Sequence, residues 1–426
     1  MKKNNQKTKS WPIIFKVAFF LAFRQVKRSS IWTNVLIIFI MTLTFLNLVI
    51  VSGILVGLIE GAVTAVKNHY IGDVFISNLK QKSFIEKSQD LIKVAENLPG
   101  VEALTYRYIE SGTIESEYKQ GKERPTDRDE SVGTSIAGIN PEIEDRVSGL
   151  ASLVVEGEYL DEDDYDQVLV GAMLLKKYLD FESPNFPTLA NVEIGSRVRI
   201  TVNGNTREVT VKGITKSKVD EIDRRVFFVD KQLKGLIGRD DYNVDEIVLR
   251  ISPKTNPIAI KSALIANGFD KYARIQTQEE AEPKFIKDMK KTFALLGNII
   301  SSIGLAVAAI TIFIVIFINA ITRRKFIGIL KGIGIEPRAI EIAYILQSLF
   351  YAFIGSTLGT FLVFAVLKPY FLAHPINFPF SDGILVATVD GTIIRIAVLA
   401  IATLIAGYIP ARIVVKQNTL DAILGR

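Results

Sequence analysis

Apolar residues along this chain are gathered into long blocks rather than spread evenly. Three blocks contain no charged side chain, and each exceeds the roughly 20 residues that an α-helix needs to cross the hydrocarbon of a bilayer. A fourth contains only Arg395, near one end, where the long side chain can carry its guanidinium to the headgroups. The pattern predicts four transmembrane helices. The blocks are residues 35–59, 293–322, 342–367 and 391–411.

The segment between the first two blocks, residues 60–291, has charged residues throughout and no apolar run of spanning length, which predicts a folded aqueous domain. Helix-like and strand-like stretches are mixed within it, as is typical of an α+β domain. The predicted strands are 73–77, 101–116 and 246–251, the predicted helices are 83–97 and 256–267, and a polar loop is predicted at 117–130.

Two further features of this segment bear on its organisation. Residues 192–229 alternate apolar and polar side chains around Asn203-Gly204, a pattern that predicts β-hairpins, and we place a second, β-rich subdomain there. Residues 278–291 contain no helix breaker apart from Pro283 and lead into the second apolar block. They predict a rigid helical stalk between domain and membrane.

The N-terminal segment, residues 1–32, carries apolar residues at steps of three and four, with basic residues beside them. Such a stripe is typical of an amphipathic helix lying in the membrane interface. It is equally typical of a helix packed against protein, and both interpretations stay open. The stripe consists of Trp11, Ile14, Phe15, Ala18, Phe19, Ala22, Phe23 and Val26. The first apolar block is too long for a cleavable signal peptide, so we expect an uncleaved anchor.

Charge indicates which side of the membrane each segment occupies. Residues 1–32 contain basic residues and no acid, and basic residues crowd 323–338. The whole chain has a net charge of +6, yet residues 60–291 carry more acids than bases. Because cytoplasmic loops retain an excess of lysine and arginine, we place both termini and residues 323–338 in the cytoplasm. The basic balance reflects topology rather than nucleic-acid binding.

The predicted fold class is an α-helical membrane protein with four transmembrane helices, plus an α+β extracytoplasmic domain inserted between helices 1 and 2. We expect it in the inner or plasma membrane. The predicted order is an amphipathic cytoplasmic segment (1–32), helix 1 (33–59), the extracytoplasmic domain (60–291), helix 2 (292–322), a cytoplasmic loop (323–338), helix 3 (339–367), an extracytoplasmic loop (368–390), helix 4 (391–411) and a cytoplasmic tail (412–426).

In the loop at 323–338, apolar residues interrupt the basic ones. A short helix there would offer a partner protein an apolar knob with a cationic rim. A positive-inside anchor without a partner explains the basic residues equally well, but not the apolar ones, so we favour docking. The residues assigned to it are Arg323, Arg324, Lys325, Phe326, Ile327, Gly328, Ile329, Leu330, Lys331 and Gly334.

Glycines recur at four-residue steps, a spacing that lets helix backbones approach closely in lipid. Packing within the chain explains them at least as well as a seam between two copies. They are Gly53, Gly57 and Gly61 in and after the first block, and Gly355 and Gly359 in the third.

The motifs indicate no catalytic or metal-binding residue. The chain has no cysteine, and its two histidines, His69 and His374, form no zinc motif. It lacks both the Gly-x-x-x-x-Gly-Lys-Ser/Thr phosphate loop and the Gly-x-Ser-x-Gly hydrolase motif. The acidic run at 161–166 lacks EF-hand spacing, and we interpret it as a solvated helix start.

Several stretches resemble one family. They are RKFIGILKGIG at 324–334, GYIPAR at 407–412 followed by NTLDAI at 418–423, and, in order, GINP at 138–141, EGEYL at 156–160, VLVG at 168–171 and VKGI at 211–214. Together they resemble the MacB/LolC/FtsX-type ABC transporter permeases with a MacB-like periplasmic core domain, over essentially the whole chain. Phe326 and Gln347 depart from the family, which often has a glutamate at each position.

The resemblance implies a non-enzymatic permease without a cofactor of its own, whose loop at 323–338 docks on a cytoplasmic ABC ATPase that binds ATP and Mg. It also implies pairing with a second permease copy or a paralogue. It further implies mechanotransmission: ATP hydrolysis on the partner moves the outer domain, which exports or extracts a lipoprotein, peptide or drug. Membrane lipid and an extracytoplasmic adaptor or lipoprotein are further expected partners. Two alternatives stay open, an FtsX-like regulator of an extracytoplasmic cell-wall hydrolase and a membrane-anchored receptor that needs no ATPase.

Overall fold

The structure is a computed structural model, and it describes residues 6–118, 131–179, 187–378, 381–383 and 385–416. The chain divides into two compact units. The helical unit comprises Met1–Ile59, Met289–Asn377 and Gly383–Arg426, and the sheet domain comprises Glu60–Asp288 and Phe378–Asp382. The predicted polar loop, from residue 119 onward, and the NTLDAI segment lie outside the described residues.

The described ranges contain the following regular elements. In chain order the helices are α1 (Gln6–Arg28), α2 (Ile31–Val66), α3 (Ser88–Glu96), α4 (Pro141–Ser148), α5 (Asp220–Asp223), α6 (Asp230–Ile237), α7 (Pro257–Ala266), α8 (Gln278–Ala281), α9 (Lys284–Thr322), α10 (Arg324–Gly332), α11 (Pro337–Leu362), α12 (Lys368–Ala373) and α13 (Val389–Val415). The strands are β1 (Val74–Asn78), β2 (Val101–Glu115), β3 (Ser131–Ile139), β4 (Val154–Gly157), β5 (Gln167–Gly171), β6 (Arg197–Val202), β7 (Asn205–Thr215), β8 (Arg225–Val229), β9 (Glu246–Ile251), β10 (Ala273–Thr277), β11 (Ile376–Phe378) and β12 (Ser381–Gly383).

Long apolar sequences form the helical unit. Among the described residues, four helices are long and apolar enough to cross a membrane, and each extends beyond the apolar block that predicted it. They are Ile31–Ile71, Lys284–Thr322, Pro337–Ala373 and Val389–Val415. Pro337 stands in the first turn of α11, where an amide N–H would have no helical partner. The predicted fold class, four apolar helices with an α+β domain between the first and second, is confirmed.

Small and aliphatic side chains fill the interior of the helical unit. Helix α11 packs against both α1 and α13. Ala18 of α1, Ala343 of α11 and Ala411 of α13 are fully buried in one apolar cluster, to which α9 and α10 also contribute. Because these residues are small, the helix backbones can approach closely. Van der Waals packing between the helices then stabilises the unit.

The sheet domain is built on one mixed ten-stranded sheet. Its order is β10-β1-β9-β2-β3-β8-β5-β7-β4, and β6 pairs with both β2 and β7. Most pairs are antiparallel, while β3 with β8 and β5 with β7 are parallel. The long strand β2 pairs with β9 as far as Arg107 and then with β6 from Gly112, so it joins the two parts of the sheet. The predicted second, β-rich subdomain is therefore wrong, because its hairpin belongs to the same sheet.

Local signals set several boundaries of the sheet domain. Asn203 and Gly204 connect β6 to β7 with φ of 49° and 82°, the left-handed backbone that a tight hairpin turn requires. The Asn256 side chain accepts the Ile258 N–H at the start of α7. Strand β9 lies where it was predicted, whereas α3 begins five residues after the predicted start of that helix, at Ser88.

The predicted stalk is not one continuous helix. Helix α8 ends at Ala281, and Glu282 is extended, with φ −49° and ψ 130°. Pro283 follows, and α9 begins at Lys284. Proline disfavours helical conformation in the residue before it, so the helix is interrupted at Glu282.

Candidate functional site

Helix α10 holds most of the residues that the sequence assigns to partner docking. Helix α9 ends at Thr322, Arg323 leaves the helical conformation with φ −103° and ψ 14°, and α10 then runs for nine residues. Beyond its end, Gly334 has φ 93°, in the left-handed region that favours glycine. The predicted cytoplasmic loop therefore contains a short helix, with non-helical backbone at Arg323 before it and at Gly334 after it.

One side of α10 is anchored in the helical unit. The side chains of Ile327 and Leu330 are 2% and 7% exposed and lie in the same apolar cluster as Tyr344 of α11. Lys331 Nζ donates a hydrogen bond of 3.0 Å to the backbone carbonyl of Val415, at the end of α13 where carbonyls lack helical partners. Because α10 packs into this cluster, its movement would act directly on α11 and α13.

The adjacent side of α10 is an exposed apolar row. Phe326, Ile329 and Ile333 are 52%, 50% and 71% exposed. Because they are three and four residues apart, they lie along one face of α10, which continues to Ile333 just after its last residue. Lys325 beside them is exposed as well. We call Phe326, Ile329 and Ile333 the exposed row.

The structure thus divides the predicted knob into two parts. Phe326 and Ile329 are available to a partner, while Ile327 and Leu330 are used within the chain. Ile333, which was not among the predicted residues, extends the exposed part. The buried side is formed by Ile327, Gly328 and Leu330, and the half-buried basic residues of this region are Arg323, Arg324 and Lys331.

The glycines of α11 lie against α2 within the same chain. A Cβ added to Gly355 would overlap the Cβ of Met41 and lie 3.0 Å from backbone atoms of α2. A Cβ added to Gly359 would overlap the ring of Phe45, one turn further along α2. The four-residue step of the glycines therefore matches the four-residue step of Met41 and Phe45, and both glycines serve packing inside the chain.

The first glycine of α2 lies against the segment that precedes α13. The Gly53 carbonyl accepts the Val386 N–H at 3.1 Å, and a Cβ at Gly53 would lie 2.8 Å from the Val386 carbonyl oxygen. Gly57 is buried and Gly61 is half-buried. A side chain at Gly53 would push this segment away from α2.

A chain of polar side chains runs through the interior of the helical unit. Gln347 Nε2 donates to Tyr351 Oη at 3.2 Å, and the Tyr351 hydroxyl donates to Asn34 Oδ1 at 2.6 Å. Asn34 Nδ2 in turn donates to the Val26 carbonyl at 3.0 Å. Sequence reasoning missed Asn34 and Tyr351. The signal that was available is a polar side chain at the margin of an apolar span, which is costly in lipid unless it has a partner.

The sheet domain buries a network of two arginines and two glutamates. Arg107 Nη2 donates to Glu144 at 2.6 Å, and its Nη1 donates to Glu246 at 3.3 Å. Arg225 Nη2 donates to the other oxygen of Glu246 at 3.0 Å and to the Tyr70 hydroxyl at 3.2 Å. Arg107 Nη1 also donates to the Tyr70 backbone carbonyl at 3.0 Å. The network therefore ties the residues that follow α2 to strands β2, β8 and β9 and to helix α4.

Opposite charges keep this network ionised despite its burial. Burial alone would raise the pKa of Glu246, but Arg225 and Arg107 outweigh burial and hold that pKa below its ordinary value. A carboxylate that is held ionised away from water needs its cations in place. Sequence reasoning missed these residues, because isolated charges on predicted strands look like ordinary solvent-facing positions.

Three acids of the run at 161–166 form ion pairs with basic residues of β7. Lys212 Nζ lies 2.9 Å from Asp161 and 2.7 Å from Asp164, and Arg207 pairs with Asp166. These acids lie in turns between β4 and β5, so the predicted helix start is wrong. The cations of β7, distant in sequence, hold the run in place. In the part of the chain that the structure describes, no three His, Cys, Asp or Glu side chains are grouped so as to hold a metal.

Comparison with known proteins places the helical unit in a recognised group. Residues 298–419 match the family model of the FtsX-like permease C-terminal domain. An uncharacterized ABC transporter permease of Methanocaldococcus jannaschii is 23% identical over 344 residues, which cover 78% of this chain and 78% of that protein.

Two solved structures are similar to about half of this chain, at low sequence identity. One is the periplasmic region of MacB from Actinobacillus actinomycetemcomitans, with a TM-score of 0.35, 16% identity, and coverage of 50% of this chain and 92% of that one. The other is the extracellular domain of the noncanonic ABC-type transporter YknZ from Gram-positive bacteria, with a TM-score of 0.31, 15% identity, and coverage of 48% and 98%.

In its four apolar helices, in residues 298–419 and in its archaeal relative, this chain is similar to membrane proteins of the ABC transporter permease class. The match of residues 298–419 and the archaeal relative support the prediction of an FtsX/MacB-type permease made from the sequence.

Proposed function

We propose that this chain is the membrane subunit of a machine in which a separate ABC ATPase binds the exposed row of α10. ATP and Mg are bound by that ATPase. Its ATP-driven closure moves α10, the four apolar helices transmit the movement, and the sheet domain performs work outside the cytoplasm. The work is the export or extraction of a lipoprotein, peptide or drug, carried out together with a second permease copy or a paralogue.

The observation that carries the proposal is the two-sided character of α10. Its exposed row offers apolar surface to a partner, and its buried side is fixed to α11 and α13 through Ile327 and Leu330. An apolar centre with a charged rim is the common anatomy of a protein interface. A helix that only marked the cytoplasmic side would need its basic residues but not an exposed phenylalanine and isoleucine.

The anchored side explains how force would pass from the ATPase to the membrane. Lys331 holds the end of α13, and the apolar cluster holds α11. A rigid displacement of α10 would therefore be shared by two helices instead of being absorbed in a flexible loop. This step depends on close packing, because packed interiors deform little.

Charge supports the orientation that this mechanism needs. Basic residues surround α10, and the described part of α1 carries only basic charges, while the sheet domain is rich in acids. Under the positive-inside rule, α10 faces the cytoplasm and the sheet domain lies on the other side. An extracytoplasmic adaptor or lipoprotein would then meet the sheet domain.

Truncation of the exposed row is expected to release the ATPase. Because each side chain would be about half exposed in the free permease and buried in the complex, Phe326→Ala with Ile329→Ala should weaken ATPase binding by about tenfold or more. The measurement is quantitative co-purification of the native complex, followed by titration of purified ATPase onto the permease in nanodiscs.

A matched control comes from side chains of the same types elsewhere in the helical unit. Phe353 and Ile314 are 69% and 48% exposed, in α11 and α9. Phe353→Ala with Ile314→Ala should leave ATPase binding unchanged. Equal losses in the two double variants, or full binding after truncation of the exposed row, would refute docking at α10.

The orientation can be tested with cysteine labelling, because the chain has no cysteine of its own. Tyr242 is 65% exposed in the sheet domain, and Arg338 is exposed after α10. A membrane-impermeant maleimide should label Tyr242→Cys in intact cells and should label Arg338→Cys only after the membrane is permeabilised. The reverse pattern would remove the basis of the proposed mechanism while leaving the fold unaffected.

A further inference from the structure

Helix α1 has three distinct sides. The buried side consists of Ile14, Ala18, Leu21, Ala22 and Gln25. Next to it, Phe15, Phe19 and Phe23 follow at four-residue steps and form an exposed aromatic row. The third side is exposed and carries the basic residues Lys16, Arg24, Lys27 and Arg28, with Ile13 and Phe20 between them. Packing against protein, one of the two interpretations left open by the sequence, is confirmed for the buried side. A position in the membrane interface stays a prediction for the other two sides.

Hydrogen bonds fix the orientation of this helix. Only Ser29 and Ser30 separate α1 from α2. Asn34 of α2 donates to the Val26 carbonyl at 3.0 Å and accepts from the Tyr351 hydroxyl at 2.6 Å. These bonds join α1, α2 and α11 at one corner. Together with the buried side of α1, they direct the aromatic row away from the interior of the helical unit.

The surroundings of α1 indicate what covers the aromatic row. The neighbouring α2 starts at Ile31, and Ile31 and Trp32 are 78% and 83% exposed, so the apolar surface continues directly into a membrane helix. Three phenylalanines in water would form an exposed apolar patch of the kind that soluble surfaces avoid. Aromatic side chains beside cations are instead typical of the boundary between hydrocarbon and headgroups.

The charge of this region selects the kind of lipid. The first acidic residue in the chain is Glu60, so the described residues of α1 and the beginning of α2 offer positive charge alone. Basic residues that lie at a membrane surface attract anionic headgroups. A partner protein would have to be acidic and apolar at once, whereas an anionic leaflet supplies both properties at this depth.

We propose that α1 is a binding site for anionic phospholipid, with the aromatic row among the acyl chains and the basic side on the lipid phosphates. This binding is independent of the proposed function of α10, and it would hold for any role of the permease. It assigns the N-terminal helix a specific ligand class rather than a general place near the membrane.

The two tryptophans of the chain, Trp11 and Trp32, allow a direct test. In a Trp32→Phe variant of the full chain, Trp11 at the start of α1 is the only indole. The protein is placed in mixed vesicles that contain brominated phosphatidylglycerol or, at the same mole fraction, brominated phosphatidylcholine. We expect the anionic lipid to quench Trp11 more strongly, with a preference that falls as salt is raised.

Charge removal should abolish that preference. Neutralising Lys16, Arg24, Lys27 and Arg28 to glutamine should lower the anionic preference by about fivefold for each cation in contact with headgroups. Lys16→Arg with Lys27→Arg should retain it. Trp32 in a Trp11→Phe variant reports on insertion of α2, and its quenching should be the same in the charged and neutralised proteins.

Three results would overturn the proposal. The first is equal quenching by the two brominated lipids in the unneutralised Trp32→Phe protein. The second is loss of the preference on addition of millimolar inorganic phosphate but not of chloride at equal ionic strength, which would identify a site for free phosphate. The third is loss of Trp11 quenching when the partner ATPase binds, which would show that protein covers the helix.

Discussion

Replacement of Arg107 by alanine is expected to destabilise the sheet domain by about 3–5 kcal/mol, because it leaves the buried carboxylate of Glu144 without a cation. The side chains of Arg107 and Glu144 are each only 2% exposed, and Glu144 has no other cation within ion-pair distance among the described residues. Glu246 would retain Arg225. The change should appear as faster hydrogen exchange in β2 and β9 of the full chain, measured in detergent or nanodiscs.

An exposed ion pair in the same domain provides the control. Arg146 and Glu142 lie 3.5 Å apart on α4, with side chains 64% and 71% exposed. Arg146→Ala should change the free energy of unfolding by less than about 1 kcal/mol, because water replaces the lost partner. Similar effects at Arg107 and Arg146 would show that the buried network contributes no more than a surface pair.

A double substitution distinguishes the free energy that the ion pair contributes from the cost of burying an unpaired charge. Arg107→Met with Glu144→Leu removes both members of the closest pair and keeps their volume. We expect this variant to be more stable than Arg107→Met alone, because no isolated carboxylate remains at residue 144. If the double variant is the less stable of the two, the network acts mainly through its hydrogen-bond geometry.

Features with a local cause were predictable from the sequence. The apolar blocks gave the four long helices because a run of apolar residues in lipid must satisfy its backbone internally. The Asn203-Gly204 pair predicted the hairpin between β6 and β7, because that turn requires left-handed backbone. The apolar residues that interrupt the basic ones at 323–338 likewise predicted a short helix, which the structure shows as α10.

Features set by distant contacts were not predictable. The pairing of β6 with β2 joins residues that lie far apart in sequence, so alternation alone could not show that the hairpin belongs to the main sheet. The sequence did not predict the break in the helix before α9. Pro283 lacks an N–H to donate and also disfavours helical conformation at Glu282.

In the candidate site, too, local features were predictable and features set by distant contacts were not. Composition indicated that α10 mixes apolar and basic residues, but the choice of Ile327 and Leu330 as its buried side depends on Tyr344 and on the end of α13. The arginines and glutamates of the buried network likewise come from four separate elements. Their pairing exists only in the folded domain, so no short stretch of sequence carries it.

The double substitution Gly355→Ala with Gly359→Ala is expected to separate α11 from α2. Each added methyl group would overlap a side chain of α2, Met41 in one case and Phe45 in the other, and at Gly355 backbone atoms also lie within 3.0 Å. Overpacking of this kind costs about 1–3 kcal/mol at each site, so the pair should lose about 2–6 kcal/mol if the effects add. The measurement is the free energy of unfolding of the helical unit in mixed micelles.

Gly297→Ala is the matched control, because the methyl group added there would meet only the end of the Leu55 side chain, at 3.4 Å. Its effect on unfolding should be close to zero. The same experiment addresses the alternative role of the glycines as a seam between copies. If Gly355→Ala and Gly359→Ala leave unfolding unchanged and instead shift the dissociation of a permease dimer, then contact with a second copy, and not packing against Met41 and Phe45, is what requires these glycines. A loss of unfolding free energy at constant dimer affinity would assign them to the interior of a single chain.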